Sequence, residues 1–440
     1  MSEVKLPEGY KQTEIGVIPK DWEVVSLGDI GNCVTGLTYS PNDVSEFGTL
    51  VLRSSNVQNG QLAYKDNVYV DMSLPERVVV KEGDILICVR NGSRRLIGKC
   101  ALIDENSEGN AFGAFMSVFR TKLYPFIFYQ FQSNLIQNQI QENMGATINQ
   151  ITNKDLKSFK VMLPKNTQEQ TAIATALSDI DNLIGSLEKL IAKKEVIKTG
   201  TMQQLLTGKT RLPEFATRDD GSPKRFKQTE LGKIPEDWAI KPIAKIVKDS
   251  RIPSGLYKDK NSYATGAGTS IIKLGDVFSN NIFDPKSVQR VNVGKSEIER
   301  YKVEIGDLII ALASVKLEGV GKVMHVTTLE EETIYDHNVA LIRPINNVSS
   351  SFLSYIFHSN YFRSLVASKA TQVGTTFLKA STILGFELHL PSTEEQTAIA
   401  TILSDMDAEI QALQERLGKT KDIKQGMMQQ LLTGKVRLAH

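Results

Sequence analysis

Three cysteines in 440 residues, Cys33, Cys88 and Cys100, are too few and too scattered for a disulfide framework or a thiolate metal site. No C-x-x-C pair occurs, so buried or half-buried thiols in a reducing compartment are expected. The five histidines, His325, His337, His358, His389 and His440, lack metal-ligand spacing. No window approaches the run of about 18 apolar residues that a membrane span needs. The opening MSEVKLPEGYKQTE has no apolar stretch of the secretory kind. Charge of one sign is missing too: 52 Lys and Arg against 50 Asp and Glu leave +2. Any nucleic-acid surface must then be local and balanced by acidic faces elsewhere. No G-x-x-x-x-G-K-S/T loop could hold ATP phosphates. There is no Asn-Pro-Pro-aromatic tetrapeptide for methylating an adenine, and no glycine-rich turn placed for a methyl donor. These absences describe a cytoplasmic, non-catalytic chain with no metal site.

What is present is a repeat. Residues 11–22 read KQTEIGVIPKDW and residues 227–238 read KQTELGKIPEDW. Residues 167–212 and 393–438 align without a gap, with 28 of 46 positions identical. Both run from T-x-E-Q-T-A-I-A to M-Q-Q-L-L-T-G-K-x-R-L. Between these anchors the copies share less. EGDILICVR (82–90) matches IGDLIIALA (305–313) as a strand, and IGKCALI (97–103) matches VGKVMHV (320–326). GATINQI (145–151) and GTTFLKA (374–380) each precede a short strand ending in Leu-Pro. Drift would have eroded the connectors as well, so the pattern predicts two modules doing one job on different targets. A chain of this length exceeds one hydrophobic core. The expected division is 1–164, a connector at 165–212, 213–391, and a second connector at 392–440.

The connectors read as helices. Thr167 and Thr393, each with a Gln three residues on, predict capping boxes, and Gly208 and Gly434 suit left-handed C-caps. The apolar residues Ile173, Leu177, Ile180, Ile184, Leu187 and Ile191 step 4-3-4-3-4. Ile399, Leu403, Met406, Ile410, Leu413 and Leu417 do the same. That is a heptad seam, and a lone helix about 60 Å long with one apolar stripe needs a partner. With a whole domain between them, the two helices would pair antiparallel. The tail GKVRLAH and the opening VKLPEGYKQTE look like the two halves of the internal GKTRLPEF…KQTE join, which predicts circular pseudo-two-fold symmetry. The fold class is mixed α/β (α+β): two such domains separated by two long helices.

The motifs G-x-I-P-x-D-W, G-D-I/L, L-P followed after three or four residues by E-Q-T-A-I-A, and M-Q-Q-L-L-T-G-K-x-R-L, in that order and twice, resemble the specificity subunit of type I restriction–modification enzymes. The resemblance covers nearly the full chain. It implies two target recognition domains, each reading half of a split site in double-stranded DNA. It further implies a helical spacer that docks two methyltransferase subunits, with restriction (translocase and nuclease) subunits completing the assembly. S-adenosylmethionine, ATP and Mg would then belong to those partners, and no cofactor to this chain.

Base readout needs Arg, Lys, Asn, Gln, Ser or Thr on loops that reach a groove. The candidates in the first domain are Arg53, Ser54, Ser55 and Asn56, then Arg90, Asn91, Ser93, Arg94 and Arg95, then Thr147, Asn149 and Gln150. In the second they are Lys273, Ser314, Lys316, Thr375, Thr376 and Lys379. The Arg94-Arg95 pair is favoured because bidentate Arg to guanine is the commonest specific contact. An insertion after Ala172 should lengthen the gap between half-sites and leave the half-sites unchanged. Two other readings are a specificity chain serving a fused methyltransferase–nuclease, and a coiled-coil scaffold whose globular domains bind proteins, which would explain the helices but not the two diverged copies.

Overall fold

A computed structural model describes residues 6–144, 149–229, 232–259, 262–264, 266–373 and 375–438. The chain divides into two compact units: Met1–Lys189 with Gln414–His440, and Leu190–Leu413. Each unit therefore holds one globular α/β body, the first part of one long helix and the last part of the other. Among the described residues, no helix is long and apolar enough to cross a membrane.

In the first unit a four-stranded antiparallel sheet runs in the order Cys100–Leu102, Ile85–Cys88, Met116–Arg120, Asn32–Thr35. A second sheet runs Ala111–Phe112, Thr49–Leu52, Tyr69–Val70, Val44–Ser45, its first pair parallel. The second unit repeats the plan. Val323–His325, Leu308–Ala311 and Val339–Ile342 pair antiparallel, and Thr269–Ile272 pairs parallel with Thr333–Tyr335. The strands Ile85–Cys88 and Leu308–Ala311 are buried at every position, as central strands covered on both faces should be.

The aspartate of the G-D motif has a structural task. Asp84 and Asp307 sit just before those strands, nearly inaccessible, and each accepts from two nitrogens of one guanidinium. Arg120 approaches Asp84 at 3.0–3.2 Å, and Arg343 approaches Asp307 at 2.7 Å. A buried carboxylate with such a partner is satisfied in place.

The two connectors are single helices, Thr167–Leu205 and Thr393–Leu431, each of 39 residues. Their caps lie one residue earlier than the sequence suggested. Asn166 accepts from the Gln168 N–H at 2.9 Å, and Ser392 from the Glu395 N–H at 3.3 Å. Thr167 and Thr393 stand inside the first turn. The Thr167 carbonyl accepts from the Thr171 hydroxyl, and the Thr393 hydroxyl donates to the Asn347 carbonyl. Gln170 and Gln396 do reach back, to the Pro164 and Pro391 carbonyls. At the far ends Gly208 (φ +68°) and Gly434 (φ +66°) turn left-handed. A Cβ there would also come within 2.5–2.6 Å of Pro235 or Pro19, so glycine is required twice over.

Every residue of the heptad seam is buried or half-buried. The seam is not uniform, however. Ile173 and Leu177 belong to the core of the first globular body, and Ile399 and Leu403 to that of the second. The helix ends embed as well: Leu431 and Leu432 in the first core, Leu205 and Leu206 in the second. An apolar stripe cannot reveal whether its neighbour is a domain or a helix, which is why periodicity alone missed this.

Beyond the domain-packed turns, ion pairs join the helix segments inside each unit. Lys424 meets Asp181 and Lys421 meets Glu188, both at 2.7 Å, in the first unit. Lys194 meets Glu409 at 2.7 Å, and Lys198 meets Asp407, in the second. Numbering rises along one segment as it falls along the other, so the paired segments are antiparallel within each unit.

Candidate nucleic-acid interface

The repeated motifs converge on one cluster in each unit. A hairpin, Tyr10–Thr13 with Gly16–Pro19, leads to Trp22. Lys11 clasps it by donating to the Trp22 carbonyl at 2.6 Å. The Trp22 indole N–H donates to Glu169 at 3.1 Å, at the start of the first long helix. Arg437, past the end of the second long helix, donates to Glu169 at 2.8 Å and to both Asp21 oxygens at 2.7 and 3.0 Å. That guanidinium holds the Asp21 carboxyl below its ordinary range.

The second unit copies this arrangement. Lys227 donates to the Trp238 carbonyl at 2.6 Å and the Trp238 indole to Glu395 at 3.2 Å. Arg211 binds Glu395 at 2.6 and 2.7 Å and Asp237 at 2.8 Å. Burial pushes the Glu395 carboxyl up, while Arg211 and Trp238 pull against it. The D-W, E-Q-T and K-x-R-L motifs are thus parts of one object.

A further cluster ties each body to the helices. Lys424 lies over the Tyr129 ring (5.6 Å) while paired to Asp181. Lys198 lies over Tyr355 (5.7 Å), whose hydroxyl donates to Asp407 at 2.8 Å.

Away from these anchors, the candidate readers of the first unit gather where two chain segments cross. Arg90 bridges to Gln150, and the Asn91 N–H donates to the Asn149 carbonyl at 3.2 Å. The Asn149 amide returns a bond to the Gly92 carbonyl at 3.0 Å, and Asn91 donates to the Ser54 hydroxyl at 3.0 Å. The segments 53–56, 90–95 and 149–150 therefore form one edge. Arg90 is exposed and stacks over Phe115 at 5.1 Å. Phe115, 55% exposed, was not among the sequence candidates; within AFGAFMSVF it reads as core. Arg53 pairs with Asp66 at 2.9 Å, leaving its Nε and the Ser55 hydroxyl buried without a partner among the described residues. Arg94 is exposed but braced on Gln141 at 3.1 and 3.2 Å; Arg95 is exposed beside it.

Two candidates are corrected. Asn56 is fully buried, its amide spent on the Ala63 carbonyl and its oxygen on the Arg53 N–H, both at 2.9 Å. It shapes the loop and cannot reach a base. Thr376 is 1% exposed, its hydroxyl enclosed. Thr147 lies outside the described residues.

In the second unit the strand Ala313–Ser314 pairs with Thr375–Phe377, setting Ala313 against Phe377 and Ser314 against Thr376. The Leu378 N–H bonds the Leu312 carbonyl as the Ile151 N–H bonds that of Val89, both at 2.9 Å. This register makes Phe377 the counterpart of Gln150 and Ala313 that of Arg90, two residues away from the offset that aligning the two glycines would give. Thr375 and Lys379 are exposed on this edge, and Lys316, also exposed, bonds the Ser314 hydroxyl through its N–H at 3.2 Å. Lys273, the counterpart of Arg53, lies over the Tyr263 ring at 4.2 Å. Among the described residues no three His, Cys, Asp or Glu side chains are grouped to hold a metal.

A two-copy recognition architecture, with fixed anchors and variable edges, is the class that this fold and site define. The chain belongs to the type I restriction modification DNA specificity domain family, whose profile matches residues 19–198 and again 235–421. It is 26% identical over 439 residues to the type I restriction enzyme MjaVIII specificity subunit of Methanocaldococcus jannaschii, covering 98% of this chain and 96% of that one. The EcoKI specificity subunit of Escherichia coli is 24% identical over 208 residues, 47% of this chain and 44% of that one. Among solved structures, the S subunit of a type I restriction–modification system from M. genitalium superposes with a TM-score of 0.56 at 14% identity, covering 98% of each chain.

Proposed function

We propose that each unit reads one half of an asymmetric, bipartite DNA site and that the chain supplies recognition, not catalysis, to a cytoplasmic type I complex. The observation that carries this is the pairing of an identical anchor with unlike crossings at the reading edge. Exposed Arg90, Arg94 and Arg95 with half-buried Asn149 in the first unit, and exposed Lys316, Thr375 and Lys379 in the second, suit base edges and phosphates. The recognition domains are residues 1–164 and 213–391, the spacers 165–212 and 392–440.

In this reading the two long helices form an antiparallel coiled coil with circular pseudo-two-fold symmetry, a ruler of about 58 Å. Two methyltransferase subunits dock along it, and restriction subunits join them; those partners bring S-adenosylmethionine, ATP and Mg. Exposed Leu183, Leu190, Val196, Ile197 and Ile423 on the helices support docking, because solvated helix faces rarely carry so many large apolar residues.

Selection of bound duplexes from a random pool, with the methyltransferase present, should return two short unlike blocks at a fixed gap. A single palindromic motif would sink the reading. An insertion after Ala172 would tear Ile173 and Leu177 from the domain core, so the ruler is better tested beyond Leu177. One extra heptad in each helix, about 10 Å, should widen the gap by roughly three base pairs with both blocks unchanged.

A further inference from the structure

We infer that the two units read chemically different edges of the bases: the first the hydrogen-bonding edge of purines, the second the 5-methyl group of thymine. This rests on the DNA-reading assignment above and adds to it the kind of base that each unit takes.

Side chains of directly opposed antiparallel residues stand on one face. In the first unit that face carries Arg90 and Gln150, both able to make bidentate contacts. In the second unit the same two positions hold Ala313 and Phe377. Alanine leaves the phenyl ring uncovered, and Phe377 is 44% exposed. Two residues beyond Ala313, in the bend that follows the strand, Val315 is 78% exposed. Thr371 pairs with Phe377 from its other flank, and exposed Thr375 stands next but one to it. Leu317 and Glu318 occupy the places of Arg94 and Arg95. None of Ala313, Val315, Leu317 and Phe377 carries a side-chain donor, so these positions cannot make the bidentate contact that Arg90 and Gln150 can.

Charge fixes the occupant. Lys369 and Lys379 line the same cleft as Phe377, and Lys316 follows Val315. An apolar centre rimmed by lysines matches a duplex groove, with ammonium groups toward phosphates and methyl-bearing carbons toward the base. In the major groove only thymine offers a methyl group, and Phe, Ala and the Thr methyl are the side chains that meet it.

The test uses the full chain with its methyltransferase partner and the duplex returned by selection. Deoxyuridine replaces thymidine, or 7-deazapurine replaces purine, in one half-site at a time. One half-site should lose about fourfold in affinity per thymine methyl removed, the factor that burying one CH2 supports, and F377A should abolish that difference. The other half-site should lose tenfold or more with 7-deazapurine, and R90A should abolish that effect. Val315→Ala, in an exposed bend, provides a second variant that leaves folding intact and should shrink the uracil effect. The inference is overturned if uracil is silent in both half-sites, or if F377A and V315A leave the thymine preference intact. It is equally overturned if both analogues act in the same half-site. Two selected blocks with a silent uracil scan would leave the bipartite reading standing, whereas no selective binding to unmodified DNA would defeat both.

Discussion

The anchor clusters and the proposed reading edges of this protein follow opposite rules, although each occurs twice. At the anchors, Trp22, Glu169, Arg437 and Asp21 are matched residue for residue by Trp238, Glu395, Arg211 and Asp237. At the edges, Arg90 faces Gln150 where Ala313 faces Phe377. A carboxylate buried at 1–2% exposure tolerates no loss of its cation, because the unpaired charge is costly. An exposed side chain on a hairpin tip carries no such penalty and can change with its target. The anchor holds the geometry constant so that the edge is free to vary.

The largest expected effect breaks the anchor unequally. Arg211→Ala strands Glu395 and should destabilise the second unit by about 3–5 kcal/mol. Arg437→Ala should cost the first unit roughly half as much, since the Arg437 side chain is 38% exposed against 7% for Arg211 and water can take its place. Urea unfolding followed by the fluorescence of Trp22 or Trp238, with the other tryptophan changed to Phe, separates the two; equal losses would contradict the contrast. Next in size, Arg90→Ala should cost about 1–3 kcal/mol of binding at one half-site only, read by methylation rates on duplexes altered in either half. Uniform weakening would make Arg90 a phosphate contact.

A pH difference between the units should follow. The second unit buries His325 and His389 and half-buries His358, all with pKa lowered by burial, His325 to about 4; the described first unit has no histidine. Unfolded histidines gain protons near pH 6.5 while the folded ones stay neutral. Their stabilising contribution is therefore full above 6.5 and is lost as pH falls toward 4. At pH 5.5 the second unit should have lost about 1 kcal/mol through His325 alone. Hydrogen exchange at pH 7 and 5.5 checks this, and equal weakening of both units would refute it. Smallest of all, Lys424→Met and Lys198→Met should each cost below about 1 kcal/mol, because these pairs are partly solvated. The double change D181K with K424D should recover most of the loss in the first unit if the pair itself matters.

The sequence by itself established the duplication, the helical connectors, their glycine caps and the contrast between fixed and varied segments. Those features are local: heptad steps, a glycine after a helix, identical words repeated. Four things came only from tertiary structure. The helix caps moved to Asn166 and Ser392, since a threonine one residue later reads just as well from spacing. The G-D aspartate proved to hold Arg120 or Arg343, and Asn56 proved to hold a loop, because polarity in a sequence does not distinguish a satisfied buried group from an exposed reader. Phe115 and Phe377 emerged as surface groups, since aromatic residues in strands look like core until the sheet's free face is known. Above all, the D-W, E-Q-T and K-x-R-L words lie up to hundreds of residues apart, and only folding brings them to one buried carboxylate. Periodicity and identity can be read along a line, but the pairing of charges out of water is decided in three dimensions.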